Sequence, residues 1–238
     1  TSDKPLPYDM GRMLRLRECK MSILPTPWVD NGLEISGTHF FGEHMVDWAA
    51  YAVSGPRAKA DPLDFDFIQS RSGSSYYVDN NSQPSGGGRL GTTLSLNDAT
   101  ALSLGGSVMG GTYDPDAELS FLILGADFVL RLEQFTVRAE YLIRRTEMAL
   151  GDRPNSRFRY DAGSGGDFAD FFLKEGFYGE IEYPISDLTL IARADGMRRK
   201  GNVADSSPLR ANSVVLRYTG GLSYGLWDGF RLKASVER

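Results

Sequence analysis

The chain has one cysteine, two histidines, no long apolar run and no surplus of basic charge, and each scarcity removes a class of function. Cys19 alone forms neither a disulfide framework nor a CxxC or CxxCH pair, so no metal site and no haem or other cofactor is expected. Of the histidines, His39 shares parity with Leu33, Ile35 and Phe41, and His44 falls in a short corner. Neither is placed beside a nucleophile or carboxylate at an accessible rim, so no catalytic residue is assigned and the chain is not read as an enzyme. No segment approaches the roughly 18 apolar residues that a membrane-spanning helix needs. With 26 Lys and Arg against 31 Asp and Glu the net charge is -5, which lacks the basic footprint of a nucleic-acid binder. The glycine runs at Gly86–Gly88 and Gly163–Gly166 have no following Lys-Ser/Thr, so they do not cradle phosphate. Asp61, Asp64 and Asp66, and Asp114, Asp116 and Glu118, lack the turn glycine and distal glutamate of a calcium loop and read as solvated acidic loops.

What is abundant points to strands. The chain carries 27 glycines and 11% aromatic residues over 238 positions, a composition suited to many strands and bends. The segment 121–145, FLILGADFVLRLEQFTVRAEYLIRR, alternates throughout. In its first half Leu122, Leu124, Ala126, Phe128, Leu130 and Leu132 oppose Gly125, Asp127, Arg131 and Glu133. In its second half Phe135, Val137, Ala139, Tyr141 and Ile143 oppose Thr136, Arg138, Glu140 and Arg144. A period of two means strands, and a Glu133-Gln134 corner folds them into a hairpin. Each arm has about 11 or 12 residues, and a tilted strand crosses a bilayer's hydrocarbon layer with roughly 9 to 11. The last pair repeats the pattern: Val214, Leu216, Tyr218, Leu222, Tyr224 and Leu226 oppose Arg217, Thr219 and Ser223, while Phe230, Leu232, Ala234 and Val236 oppose Arg231, Lys233, Ser235 and Glu237.

The connections carry a second regularity. Short corners at 42–45, 97–98, 133–134, 186–187 and 227–229 alternate with longer polar stretches, the order of an up-and-down barrel with tight inner turns and long outer loops. Phe41, Phe135, Tyr183, Trp227 and Phe230 lie near the corners, where an interfacial aromatic girdle belongs. The expected fold is therefore all-β: an antiparallel transmembrane β-barrel forming one domain over 1–238, with 1–32 extended and 33–238 supplying strands and loops. The ten strands so counted predict at least one more strand before Leu33 and one after Arg238, so the chain is expected to be incomplete at both ends.

If the apolar row faces lipid, the charged row faces a lumen. The expected pore-lining residues are Arg131, Glu133, Arg138, Glu140, Arg144, Glu180, Glu182, Arg193, Asp195, Arg217, Arg231 and Lys233. Rings of such charge set ion preference, and seven basic against five acidic residues predict only mild selectivity. Arg12, Arg15, Arg17 and Lys20 form the densest basic cluster, a candidate constriction segment folded toward the pore or else a solvated charged strand.

GFYGEIEYPISDLTLIARADGM and VVLRYTGGLSYGLWDGFRLKASVER resemble later hairpins of bacterial outer-membrane porins, most closely the phosphate- and oligophosphate-selective type. LPTPWVDNGLEISG and DWAAYAVSG resemble earlier strands of that family. The resemblance implies a barrel of about 16 strands, a trimer, and passage of small hydrophilic solutes. The family's lumenal Arg and Lys ladder has candidates in Arg193, Arg217, Arg231 and Lys233, but Glu180, Glu182, Asp195 and Glu237 share their parity. The expected function is passive diffusion of small polar or ionic solutes through the bacterial outer membrane. The expected partners are the lipid bilayer, those solutes, and further copies or another envelope protein. Two alternatives stand beside it: a plugged or partner-filled structural barrel, and a soluble β-sandwich that binds a ligand.

Overall fold

The computed structural model describes residues 15–16, 19–20, 23–24, 30–56, 58–60, 65–67, 81–148, 166–204, 214–227 and 230–238, and among them there is no helix. Ten strands form one antiparallel sheet in up-and-down order: β3 (Gly32–Phe41), β4 (His44–Val53), β7 (Ser85–Asn97), β8 (Thr100–Thr112), β9 (Ser120–Arg131), β10 (Thr136–Glu147), β11 (Gly166–Ile185), β12 (Leu188–Ala204), β13 (Val214–Trp227) and β14 (Phe230–Glu237). Each strand pairs with its neighbours in sequence among these ten, and the sheet is open, with β3 and β14 as its edges. Two small pairs stand apart: β1 (Arg15–Leu16) with β2 (Cys19–Lys20), and β5 (Ala58–Ala60) with β6 (Phe65–Phe67).

Alternation fixes which side of the sheet each residue takes. In the central hairpin Leu130 pairs with Val137, Phe128 with Ala139, Ala126 with Tyr141 and Leu124 with Ile143. The same side continues through Ile181, Ala192, Leu190, Leu222 and Ala234 in one direction, and through Leu102, Leu104, Leu90, Trp48 and Ile35 in the other. We call this the outward face. Among the described residues, every exposed large apolar side chain lies on it except Phe40. Leu33 is 84% exposed and Val236 78%, at the two edges of the sheet.

Tight corners join the hairpins at 42–43, 98–99, 132–135 and 186–187. Gly42 (φ 62°) and Ser186 (φ 55°) take the left-handed backbone that a two-residue hairpin turn demands. The connection between β8 and β9 is shorter than the sequence suggests, because β8 runs on to Thr112. Residues 113–119 close it, with Tyr113 N–H donating to the Leu119 carbonyl (3.1 Å) and Leu119 N–H to Asp114 Oδ1 (2.8 Å). Both β11 and β12 extend further toward the long connections than apolar alternation indicates.

The other face, which we call inward, buries what the outward face does not. Met109, Tyr113, Phe121, Ile123, Met148 and Phe172 form one cluster near the long connections, with Leu24, Tyr51, Val53 and Leu119 against it. Ile23, Leu142, Tyr178 and Met197 form a second. Residues 23–24 thus lie on the inward face, seated on side chains from β10, β11 and β12.

One glycine is dictated by charge. Arg89 on β7 forks onto Asp127 on β9 (2.5 and 2.8 Å), reaching over Gly105 on the intervening β8. A Cβ at Gly105 would overlap both the guanidinium and the carboxylate. Gly105→Ala is expected to lower stability by about 1–3 kcal/mol through overpacking, read as a shift in the urea unfolding midpoint. Adding Arg89→Ala should relieve part of that loss; a double variant no more stable than Gly105→Ala would show that the overlap is not the cause.

Candidate functional site

The inward face gathers the predicted charges. Arg131, Arg138, Glu140, Arg144, Glu180, Glu182, Arg193, Asp195, Arg217, Arg231 and Lys233 all fall on it by register. Glu133 sits in the exposed 132–135 corner, continuing the parity of Arg131.

Seven of the inward charges form one chain of ion pairs across five strands. Arg138 on β10 meets Glu182 (2.7 Å) and Glu180 (3.2 Å) on β11. Arg193 on β12 meets Glu180 (3.4 Å) and Asp195 (3.5 Å). Arg217 on β13 meets Asp195 (3.1 Å) and Glu237 on β14 (3.3 Å). Acid and base alternate along the whole chain. The centre is the most enclosed part: the side chain of Asp195 is 3% exposed and that of Arg193 8%, whereas Glu237 at the end is 55% exposed. Arg193 also stacks on the Tyr178 ring, 4.1 Å from its centroid.

Nearer the long connections, Arg144, Lys174 and Arg199 stand side by side on β10, β11 and β12 and are all buried. Phe172 packs against the Lys174 ammonium (5.5 Å) and the Arg199 guanidinium (6.0 Å). The three side chains thus share one transverse row of the face. Ile23 sits beside it, on Leu142 and Met197, which belong to the neighbouring row.

Arg131, Arg231 and Lys233 stay exposed toward the corners and at the β14 edge, outside both groups. Of the candidate constriction residues, Arg15 and Lys20 lie in β1 and β2, known by backbone pairing only, while Arg12 and Arg17 lie outside the described residues. Asp61 and Asp64 are likewise outside them. Asp114 is engaged in holding its own connection: beyond the bond to Leu119, its carbonyl accepts from Ala117 N–H (3.2 Å) and Asn81 Nδ2 (2.9 Å). No group of three or more His, Cys, Asp or Glu suited to a metal occurs among the described residues. Tyr113, in the same connection, donates to the Glu147 carbonyl. Burial first, then the Asp114 and Glu147 carboxylates, push its hydroxyl far above the usual tyrosine range, so it stays a proton donor.

Sequence reasoning missed Arg89, Lys174 and Arg199 as inward charges. The signal was present as parity: Lys174 continues Glu180 and Tyr178, Arg199 continues Arg193 and Asp195, and Arg89 precedes Gly91 and Thr93 on one side of β7. Compared with known proteins, the chain matches no family model, no curated protein and no solved structure.

Proposed function

We propose that this chain forms a porin-type β-barrel wall in the bacterial outer membrane and passes small hydrophilic or ionic solutes along its inward face. The observation that carries the reading is the inverted polarity of the sheet. A soluble monomer tolerates an exposed apolar patch of ~300–600 Å², and here the exposed large side chains of ten strands form one continuous apolar face while ion pairs fill the other. That is the arrangement of a sheet with lipid on one side and a polar interior on the other.

Two further features support it. Tight corners and longer connections alternate along the sheet. The strands are also staggered. Along the transverse row from Phe40 through Met45, Thr93, Ser103, Val129, Arg138, Glu180 and Arg193 to Thr219, β3 extends only by Phe41 toward the corner, whereas β13 extends from Gly220 to Trp227. A net stagger of this kind, from one residue at β3 to eight at β13, is the shear that lets tilted strands close into a barrel. The edges β3 and β14 run antiparallel to each other and carry apolar outward rows, ready to join directly or through further strands. Among porins, the phosphate- and oligophosphate-selective type remains the first assignment, on the resemblance of the later hairpins.

A plugged or partner-filled barrel is the second reading, and one observation favours it: Ile23 and Leu24 pack into the inward face where a conduit would run.

The polarity is tested along β9 by placing single nitroxide labels from 122 to 130 in a Cys19→Ser background, with the protein in lipid vesicles. Labels at 122, 124, 126, 128 and 130 should collide readily with oxygen and poorly with a water-soluble nickel chelate, and labels at 123, 125, 127 and 129 should not show that lipid signature. Water accessibility at the even positions would overturn the reading.

A further inference from the structure

The outward face is uncharged over most of its area. On β11 and β12 the outward residues from Phe177 to Ile185 and from Leu188 to Gly196 are apolar or small. At ~3.3 Å per residue and a tilt of ~40° these runs span ~20–25 Å, close to the apolar band of a membrane barrel. Immediately past them, toward the long connections, charge begins: Glu175 pairs in register with Arg198, and Arg145 and Lys200 both flank Leu173 in the next row. Together with Glu147 these are the only Asp, Glu, Lys or Arg side chains on the outward face among strand residues 32–53, 85–147, 171–200, 214–226 and 230–237, and they sit on three adjacent strands rather than around the whole sheet.

The cluster is built around its carboxylate. Glu175 accepts from Tyr141 Oη (2.5 Å), is ion-paired with Arg198, and lies 3.7 Å from Lys200 Nζ. Its side chain is only 12% exposed, while Arg198 and Lys200 remain 42% and 40% exposed. Arg145 is exposed and stacked on the Phe171 ring at 5.4 Å. Glu147 is engaged by Ser120 N–H (3.0 Å). The acids are therefore covered and held from within, and the cations are presented outward at the depth where lipid headgroups begin.

We propose that Arg145, Arg198 and Lys200, oriented by Glu175, form a binding site for the phosphate of an anionic lipid headgroup at the end of the sheet bearing the long connections. The inference rests on the bilayer-spanning reading above. Planar guanidinium forks suit phosphate oxygens, and the lysine adds a point charge. Each net positive charge near a membrane surface contributes about fivefold in affinity for anionic lipid, and the three cations less the Glu175 carboxylate leave two such charges.

The test uses the folded chain in phosphatidylcholine vesicles doped with spin-labelled phosphatidylglycerol or, separately, spin-labelled phosphatidylcholine, reading the immobilised lipid fraction. The wild type should retain phosphatidylglycerol about twenty-five-fold over phosphatidylcholine at low salt, with the preference falling as salt rises. Arg198→Ala with Lys200→Ala should bring the two lipids near parity while inserting as well as the wild type. Equal retention of both lipids by inserted wild type would overturn the site and leave the barrel standing. Failure of the wild type to insert into either vesicle would overturn the bilayer-spanning reading, and the site with it.

Discussion

Replacing Asp195 by alanine is expected to be the most damaging single change on the inward face, costing about 3–5 kcal/mol of stability. The carboxylate is 3% exposed and stands between Arg193 and Arg217, at 3.5 and 3.1 Å. Without it, two guanidiniums on neighbouring strands face each other in an enclosed site with less negative charge to share. Arg193 would retain Glu180 and Arg217 would retain Glu237, but Glu237 is more than half solvent-exposed and screened. The contrast that isolates the cause is Glu237→Ala, at the exposed end of the same chain of pairs, which should cost less than about 1 kcal/mol. Both are read as urea midpoints of protein refolded in detergent micelles. A loss below about 1 kcal/mol for Asp195→Ala would mean that the ion-pair chain does not hold β12 to β13.

The second large effect is expected at Ile23. Its side chain is 2% exposed against Leu142, Tyr178 and Met197, beside the row of Arg144, Lys174 and Arg199. Ile23→Lys places an ammonium in a buried seat lined by Leu142, Tyr178 and Met197, where loss of its hydration opposes docking. The lysine variant should release residues 23–24 from the inward face and raise single-channel conductance roughly twofold or more, as expected when a lumenal constriction widens. Ile23→Val, which costs only about 0.5–1.5 kcal/mol, should leave conductance unchanged. A correctly folded lysine variant with wild-type conductance would show that Ile23 does not narrow the path.

Much of this arrangement is readable in the residues, and the parts that are not have identifiable reasons. The hairpin over 121–145 is fully specified by local alternation, since a one-residue slip would move Leu124, Phe128 and Tyr141 to the polar side. Its corner at Glu133-Gln134 lies where the alternation changes phase, and the strand pairing keeps that phase. By contrast β11 and β12 are longer than they look. FADFFLKEG and RRKGNVA mix charges and glycine with apolar residues, and the outward row itself carries charge at Glu175, Arg198 and Lys200, so the contrast between faces that reveals a strand is lost.

Which charges meet could not be read, because that depends on register across long connections. Parity places Arg89 and Asp127 on the same side, but only the pairing of β7, β8 and β9 brings them together over Gly105. Ile23 is the extreme case. It lies between a basic stretch and Pro25 with no periodicity around it, and its position on the inward face comes wholly from tertiary packing.

The most direct measurement is planar-bilayer conductance of the folded protein under a salt gradient, with wild type and the Arg138→Ala variant compared. A solute conduit along the inward face predicts steady conductance steps. Its reversal potential should move toward cation preference when Arg138, which meets both Glu180 and Glu182, is removed. Silence from protein shown by lipid-facing labels to be inserted would contradict the conduit and leave a barrel filled by its own chain or by a partner.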